Sequence, residues 1–353
     1  MTENTNGGAK KSSALEILKN YSGPEVRIME VCGTHTHEIF RLGIRKILPP
    51  SIRLISGPGC PVCVTPVSFI DEALILALEK GCTICTFGDL VRVPGTESSL
   101  QKARGGGAKV QVVYSPADAV RYAEKHPEEQ VVFLSVGFET TTPSVCLAVK
   151  SAMEENVENF SVLTANKTMP GAYEAMKDST DLYLYPGHVH AIVGTGICED
   201  LARRGVSGVC AGFTASELVT ALAVAVRQFE KGEPFFVNCY PRVVRPQGQP
   251  AAVRLVDSMM EPCDSEWRGI GDIPSSGMKL REEYGNFDAR IRFRLPKVEG
   301  RSNPACRCGE VLQGKCLPSD CKVFGKVCTP EHPVGACMVS GEGACSAFYL
   351  YGG

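Results

Sequence analysis

Short β-rich runs alternate with helical patterns through residues 53–239. Strands are predicted at 53–56, 83–87, 109–114, 130–136, 160–164, 206–211 and 235–238. In the intervening segment 68–80, apolar residues such as Ile70 and Leu74 share one helical face. Further helices are predicted at 116–125, 143–155, 199–204 and 215–231. Repeated βα alternation predicts parallel sheets covered by helices, and this stretch is long enough for two of them.

The segments outside this alternation have a different character. Residues 1–13 are polar and predicted to be disordered, residues 241–304 are rich in proline, glycine, arginine and turns, and residues 305–350 are dense in cysteine. The amino-terminal segment lacks the apolar core of a secretion signal, and the longest aliphatic run, near 218–226, is too short to span a bilayer. We therefore expect a cytoplasmic protein with no membrane segment.

The chain carries 17 cysteines, of which seven lie between Cys306 and Cys345. The cytoplasm keeps most thiols reduced, so this number indicates metal ligation or redox chemistry more than a disulfide scaffold. Isolated cysteines are more often small core residues, which is the prediction for Cys146, Cys198, Cys210, Cys239 and Cys263. The net charge of −2, from 37 basic and 39 acidic residues, gives no general attraction to nucleic acid.

Several loops that follow predicted strands have distinctive sequences: GPGCPVCVTP (57–66), GDLVRVPG (88–95), GFETTTP (137–143), NKTMPG (166–171) and GHVHAIVG (187–194). In open α/β sheets the functional loops follow the carboxyl ends of the strands, so some of these loops are expected to line a cleft. In the first of them, Cys60 and Cys63 form a CxxC motif before a helix, which favours a dithiol/disulfide pair. Half of a zinc site and a coincidental pair are the alternatives. A second CxxC, Cys82 and Cys85, falls in a predicted strand and is interpreted as core.

The segment CGTHTHE (32–38) places Cys32, His35, His37 and Glu38 close together. Thiolate and imidazole both bind iron and late first-row metals. On an extended segment His35 and His37 would share a face, and the Gly33 bend would bring Cys32 to them. A structural cluster of capping or core residues is the alternative. Cys32 could also join the two thiols of GPGCPVC in a three-thiol site.

The carboxyl-terminal cysteines have irregular, mostly long spacings. The segment between Pro304 and Pro333 contains little apolar material, so a metal is expected to hold it together. Four thiolates, enough for a [4Fe–4S] cluster, are available from Cys306, Cys321, Cys328 and Cys345. Cys308 and Cys337 would remain as a second pair beside the cluster. Structural zinc stays open as an alternative, although zinc sites usually show two short CxxC pairs.

These motifs together, with the ending CRCGEVLQGKCLPSDCKVFGKVCTPEHPVGACMVSGEGACSAFY, resemble the HypD family of [NiFe]-hydrogenase maturation proteins over nearly the whole chain past residue 25. The resemblance implies two Rossmann-like parallel α/β domains, at 47–132 and 133–219. It also implies a third, cysteine-rich domain, formed by 1–46 together with 220–353, that carries a [4Fe–4S] cluster.

The resemblance also implies roles for single residues. Cys32 matches the iron-binding thiol, Cys60 and Cys63 the redox-active CxxC, and Cys308 with Cys337 the accessory dithiol pair. The cluster ligands match Cys306, Cys321, Cys328 and Cys345. His35 and Glu139 match cleft positions with less settled roles.

The family's activity is the assembly of an Fe(CN)2CO group. The resemblance implies that the chain works with a small HypC-type chaperone, receives cyanide from HypE, and serves the [NiFe]-hydrogenase large subunit through HypC. Such a protein is a metallocentre scaffold with redox activity more than a conventional enzyme. The alternatives from other classes are a general cluster-dependent thiol-disulfide oxidoreductase and a binding scaffold with structural zinc.

Two positions depart from the family pattern, His190 after GHV and Thr214 after Gly212-Phe213. Both lie in the predicted second α/β unit. They leave the cysteine motifs intact, but they put in doubt any partner or ligand contact at these positions.

Overall fold

The computed structural model describes residues 13–352. The predicted disorder of residues 1–13 therefore lies outside the described residues, except for Ser13. The α-helices, α1 to α16 in chain order, are Ala14–Lys19, Gly33–Arg41, Ile44–Ile47, Pro61–Val64, Val67–Leu78, Leu100–Gly105, Pro116–Lys125, Thr142–Glu154, Met169–Met176, Gly187–Val193, Gly196–Arg203, Ala215–Phe229, Pro250–Met259, Ala289–Arg292, Cys308–Leu312 and Ala344–Tyr351. Short 3-10 helices occur at Gly88–Arg92, Lys177–Ser179, Glu282–Phe287, Pro318–Asp320 and Ala336–Met338. In this part of the chain, none of the helices has the length and hydrophobicity needed to cross a membrane.

The strands form two parallel sheets and one antiparallel hairpin. In chain order, β1 to β11 are Val26–Glu30, Ile52–Ser56, Thr83–Thr86, Val110–Val112, Val131–Gly137, Phe160–Asn166, Leu182–Pro186, Ser207–Ala211, Phe236–Asn238, Met260–Trp267 and Gly271–Leu280. The five-stranded sheet has the order β2-β1-β7-β8-β9, and the four-stranded sheet has the order β4-β3-β5-β6. Strands β10 and β11 pair with each other in the antiparallel hairpin. The predicted α/β class with two parallel sheets is confirmed.

The chain builds the two sheets in an interrupted order. It leaves the five-stranded sheet after β2, completes the whole four-stranded sheet, and returns at β7, which pairs with β1. The predicted domain boundary between residues 132 and 133 falls within β5. The four-stranded sheet contains β3 and β4 from before this boundary and β6 from after it. The division into three domains stays a prediction.

The strands and helices predicted for residues 53–239 agree with the structure to within a few residues. Strands β1 and β7 and the β10–β11 hairpin were not predicted from the sequence. Strand β7 ends in Pro186, and β10 contains Pro262 and alternates buried with exposed residues, so neither resembles the apolar runs of the other strands. The prediction of an extended CGTHTHE segment is wrong, because residues from Gly33 onward form α2.

Local capping explains where several helices begin. Ser13 and Glu16 form a capping box at α1, and Thr214 and Glu217 form another at α12. In both, the hydroxyl oxygen accepts a hydrogen bond from a backbone N–H of the first turn, and the glutamate accepts one from the cap residue. The departure from the family pattern at Thr214 therefore has a structural role as the cap of a long helix.

The second CxxC lies in the core, as predicted. Cys82 and Cys85 are fully buried, and they belong to apolar clusters on opposite faces of the four-stranded sheet. Burial raises the pKa of Cys82 to about 11 and that of Cys85 to about 12, so both thiols stay protonated at neutral pH. Of the five isolated cysteines, Cys146, Cys198 and Cys210 are buried, whereas Cys239 and Cys263 are partly exposed.

A buried ion pair fixes the carboxyl ends of β1 and β2. The fully buried carboxylate of Glu30 accepts hydrogen bonds from Arg45 at 2.5 Å and from Thr36 at 2.8 Å. Arg45 also donates to Leu54 O at 2.6 Å and lies over the ring of Phe40. Strands β1 and β2 are thus joined to helices α2 and α3 at one charged centre, and Glu30 stands two residues before Cys32.

We predict that Arg45→Met destabilises the protein by about 3–5 kcal/mol, because it leaves the Glu30 carboxylate buried without its cation. Arg41→Met is the matched control, since Arg41 pairs with Glu38 within the same helix and is half-exposed. The control should cost less than about 1 kcal/mol. Urea unfolding of the full-length protein measures both values, and equal shifts for the two variants would contradict the prediction.

Candidate thiol and metal site

Two motifs meet at the carboxyl ends of β1 and β2. These strands are parallel neighbours, with Glu30 opposite Ser56, so the loops that follow them emerge side by side. Gly33 N donates to Gly59 O at 3.0 Å, and a Cβ on Gly59 would lie only 2.0 Å from Cys32 N. Glycine is therefore required at position 59 for GPGCPVCVTP to approach CGTHTHE. The loop of Cys60 and Cys63 thus lies beside the Cys32 backbone, and a three-thiol site of these residues stays a prediction.

Cys32 is the residue that precedes α2, and its side chain is buried. Burial raises the pKa of its thiol to about 12, and the nearby Glu342 carboxylate adds to the shift. Glu342 accepts a hydrogen bond from Thr34 Oγ1 at 2.7 Å, so the carboxyl-terminal segment docks on the first turn of α2. The sequence analysis missed Glu342, although it lies three residues before Cys345. A thiol in this environment becomes a thiolate only when a cation, such as a metal ion, is present.

Cys60 and Cys63 form a close pair on the short helix α4. Cys60 is the N-terminal cap, and its sulfur lies 2.7 Å from the Cys63 sulfur and 3.3 Å from Cys63 N. Pro61 occupies the first turn, where its missing N–H costs nothing. Both thiols are buried, and burial raises the pKa of Cys63 well above its usual range. The geometry suits reversible disulfide formation within a preformed turn.

Cysteines of the carboxyl-terminal region lie next to the Cys60–Cys63 pair. Interaction with Cys308 raises the pKa of the Cys337 thiol, and Cys345 and Cys63 are close enough to shift it as well. Cys306 and Cys308 place their sulfurs 3.2 Å apart. A continuous line of sulfurs therefore runs from Cys60 through Cys63 and Cys337 to Cys308.

The four cysteines expected to hold a cluster lie in one compact region of turns. Cys321, Cys328 and Cys345 are buried, and Cys306 is half-buried. Val334 N donates to Cys328 Sγ at 3.4 Å, and a Cβ on Gly335 would lie 2.4 Å from Cys306 Sγ, so the backbone closes tightly on these sulfurs. In the described part of the chain, no three cysteine sulfurs lie within 4.8 Å of one another. Four thiols in one region are a donor set that suits a thiolate-ligated metal or cluster.

His35 and His37 point in different directions, which corrects the expectation that they share a face. Side chains two residues apart on a helix do not face each other. His35 is fully buried, with Nε2 3.0 Å from Gly212 O, and its ring packs 4.8 Å from Phe213. Burial lowers the pKa of His35 to about 4, so the ring is neutral at pH 7. His37 lies near the surface, with Nδ1 3.0 Å from Gly341 O.

Glu139 comes two residues after the end of β5, in the GFETTTP loop. Its Oε1 accepts a hydrogen bond from Met169 N at 2.8 Å, whereas Oε2 is buried without a partner. Burial raises the pKa of Glu139 to about 7, and the nearest ionisable neighbours include Tyr173 and Cys198. Glu139 is therefore a buried carboxyl with one unpaired oxygen, beside the apolar cluster that contains Phe138, Met169 and Tyr173.

The departure at His190 is accommodated within the fold. Its Nδ1 lies 3.0 Å from Gly194 O, and its Nε2 lies 3.3 Å from Cys198 Sγ. Burial lowers the pKa of His190 to about 4, which keeps the ring neutral. A neutral His190 ring that donates to the Gly194 carbonyl can accept a hydrogen bond from the Cys198 thiol. Both side chains then have hydrogen-bond partners.

Arg268 was not found by the sequence analysis. It lies in the turn between β10 and β11, is 7% exposed, and donates from Nε to Thr65 O at 2.7 Å. Its guanidinium interacts electrostatically with the sulfurs of Cys308, Cys337, Cys306 and Cys63. The only sequence signal was its place in a glycine-rich turn next to the single tryptophan, Trp267.

The arrangement defines a class of protein: an α/β protein whose buried thiol pairs lie beside a cysteine-rich carboxyl-terminal segment. Comparison with known proteins gives a family. The sequence model of HypD, described as "Hydrogenase formation hypA family", matches residues 9–352. The chain belongs to the HypD family, and the resemblance seen in the sequence is confirmed.

Several curated relatives are similar over almost their full length. The "Hydrogenase maturation factor HypD" of Cupriavidus necator is 43% identical over 343 residues, which cover 94% of this chain and 90% of the relative. The protein of the same name from Escherichia coli K12 is 42% identical over 335 residues, covering 92% and 89%. That of Rhizobium leguminosarum bv. viciae is 42% identical over 339 residues, covering 92% and 88%.

We predict that Gly59→Ala destabilises the protein by several kcal/mol, because the added Cβ collides with backbone that cannot move aside. Gly196→Ala is the matched control, since a Cβ there meets no atom within 4 Å and its φ is not positive. The control should be neutral or slightly stabilising. Thermal and urea unfolding compare the two variants, and a harmless Gly59→Ala would show that the two motifs do not pack as described.

We predict that Glu139→Gln changes how stability depends on pH. Between pH 4.5, the ordinary carboxyl value, and about 7, the folded state keeps a proton that the unfolded state has released, so wild-type stability falls as pH rises. The glutamine variant lacks this loss, so its stability relative to wild type should increase by roughly 3 kcal/mol from pH 4.5 to pH 8. Glu154→Gln, at an exposed position on α8, is the control and should show no such trend. Denaturant unfolding at several pH values measures the difference.

Proposed function

We propose that this chain is a [NiFe]-hydrogenase maturation factor that, with a HypC-type chaperone, forms the scaffold on which Fe(CN)2CO is assembled. The iron and its ligands are the cargo. Cyanide is delivered by HypE, and the finished group passes to the hydrogenase large subunit through the chaperone. The family membership supports this function, and the observation that carries it is the line of buried sulfurs that ends close to Cys32.

In this proposal Cys32 binds the iron together with a thiol of the chaperone. Soft thiolate suits iron that carries cyanide and CO. The Cys32 side chain is buried beside Glu342, so it is insulated from water and gains its negative charge when the cation arrives. His35 stays neutral and holds the start of α2 against the Gly212–Phe213 loop.

The thiol pairs exchange electrons without an external reagent. The Cys337 thiolate attacks the Cys63 sulfur of a Cys60–Cys63 disulfide, whose S–S bond breaks, and Cys60 leaves as a thiolate that takes up a proton. The Cys308 thiolate then attacks the Cys337 sulfur, which releases Cys63 as a thiolate and closes a Cys308–Cys337 disulfide. Two electrons have moved to the CxxC pair, and the number of disulfides is unchanged.

A [4Fe–4S] cluster, held by Cys306, Cys321, Cys328 and Cys345, would supply the electrons that return the Cys308–Cys337 pair to the dithiol. The compact, mostly buried thiol region supports this assignment. The chain's own part is to hold these four thiols in tight turns and to keep Cys308 and Cys337 beside Cys345.

A general thiol-disulfide oxidoreductase is the second candidate, since the same sulfurs could reduce other proteins. The burial of the CxxC disfavours it: Cys60 is 3% exposed and Cys63 is fully buried. A substrate protein's disulfide would have to enter the fold to be attacked. This candidate predicts reduction of unrelated disulfide proteins in the absence of the chaperone.

The test is metal analysis and infrared spectroscopy of the anaerobically purified protein, expressed with its maturation partners. We expect about four iron atoms with sulfide for the cluster, and the cyanide and CO bands of bound Fe(CN)2CO. Cys32→Ala should lose the infrared bands and keep the cluster iron, whereas Cys63→Ser should block maturation and also keep the cluster. Cys210→Ser, at a buried cysteine in the five-stranded sheet, is the control and should keep both signals.

Other outcomes would contradict the proposal. Zinc in place of iron and sulfide would favour the binding scaffold with structural zinc. Infrared bands that persist in Cys32→Ala would remove the iron-binding role from Cys32. Loss of the cluster in Cys63→Ser would contradict the separation between the CxxC and the cluster ligands.

A further inference from the structure

The turn between β10 and β11 contacts helix α4, which carries the CxxC pair, and helix α15, which begins at Cys308. Arg268 N donates to Val64 O at 2.9 Å, and its side chain donates to Thr65 O at 2.7 Å and to Pro94 O at 3.1 Å. Val64 is the last residue of α4 and Thr65 is its C-terminal cap. A guanidinium therefore caps the carboxyl end of the helix whose first residues hold Cys60 and Cys63.

The same turn packs on α15, which begins at Cys308. Gln313 Nε2 donates to Gly269 O at 2.7 Å. A Cβ on Gly269, whose φ is +75°, would lie 2.4 Å from Gly309 Cα, so the two backbones are in close contact. Residues 268 and 269 thus join the CxxC helix to the helix of the accessory thiol.

The charge of Arg268 has no carboxylate partner among residues 13–352: none of the ion pairs within 4.0 Å includes it. A guanidinium stays charged even when it is buried, and a buried charge is costly unless it is compensated. Carbonyl groups satisfy its hydrogen bonds, and the groups that interact with its charge are sulfurs, those of Cys308, Cys337, Cys306 and Cys63.

We propose that Arg268 is a positioning residue for thiol exchange, which holds the two thiol helices together and stabilises the negative charge that moves between their sulfurs. The proposal rests on the proposed function, because it concerns the exchange between Cys60–Cys63 and Cys308–Cys337. In each step one negative charge is spread over the attacking, central and leaving sulfurs. A fixed cation in a water-poor interior stabilises that charge without having to reorganise.

The charge and the hydrogen bonds of Arg268 can be separated by substitution. Arg268→Gln keeps an amide donor for a carbonyl and removes the charge. Arg268→Lys keeps the charge and loses the forked geometry. Arg268 and Arg301 both line one cleft of about 1260 Å³. Arg301→Gln is the matched control, because the Arg301 side chain is 78% exposed and pairs with Glu97.

The experiment follows the position of one disulfide in time. Reduced, anaerobic full-length protein is mixed with one equivalent of a small disulfide, quenched with acid at intervals, and alkylated in two steps so that peptide mass spectrometry locates the oxidised pair. We expect Arg268→Gln to slow the shift of the disulfide between the CxxC and the Cys308–Cys337 pair by about tenfold or more. Arg268→Lys should stay within about threefold of wild type, and Arg301→Gln should match wild type.

The outcomes separate this inference from the proposed function. If the wild-type protein never transfers the disulfide between the two pairs, the thiol relay itself is wrong. If it does, and Arg268→Gln is as fast as wild type, the role of Arg268 is overturned. A lysine variant as slow as the glutamine variant also overturns it, because charge would then not matter.

A second measurement uses the wild-type protein, in case Arg268→Gln fails to fold. Iodoacetate is anionic and iodoacetamide is neutral, so a nearby cation favours the first reagent. We expect the ratio of the two alkylation rates to be higher at Cys308, which lines the cleft, than at Cys239, a partly exposed cysteine whose pKa is raised by burial alone. Equal ratios at the two sites would overturn the proposal.

Discussion

The close backbone contact between Gly59 and Cys32 is the constraint on which the site depends. Parallel pairing of β1 with β2 brings two loops to the same edge of the sheet, and the missing side chain at Gly59 lets them touch. The buried Glu30–Arg45 pair holds the strand ends below this contact. The carboxyl-terminal segment then docks on the first turn of α2 through Glu342, which completes the approach of all three cysteine segments.

Burial determines how these thiols behave. It raises the pKa of Cys32 and Cys63, and interaction with Cys308 raises that of Cys337, so all three thiols favour the protonated form. A buried CxxC with a neighbouring thiol favours exchange within the protein over attack on large substrates.

Much of the fold could be predicted because buried parallel strands are continuous apolar runs separated by helices with one apolar face. Strands such as Val131–Gly137 and the buried pair Cys82 and Cys85 follow from that pattern. The β10–β11 hairpin was missed because one face is exposed, so its residues alternate and include a proline. The helical start at Gly33 was missed because a glycine followed by threonine and histidine has weak helix propensity. Contacts with Glu342 and Gly212, which are distant in the chain, decide that this segment is helical.

The sequence by itself determined the α/β class, the family, and the set of cysteines available for chemistry, because these depend on residue types and short spacings. Only the tertiary structure decided which of those cysteines lie together, that His35 and His37 diverge, and that the Glu139 carboxyl is buried with one oxygen unpaired. It also revealed Arg268 between the two thiol helices. These are contacts between residues far apart in the chain, and they arise from how β1, β7 and the hairpin pack, which no local pattern encodes.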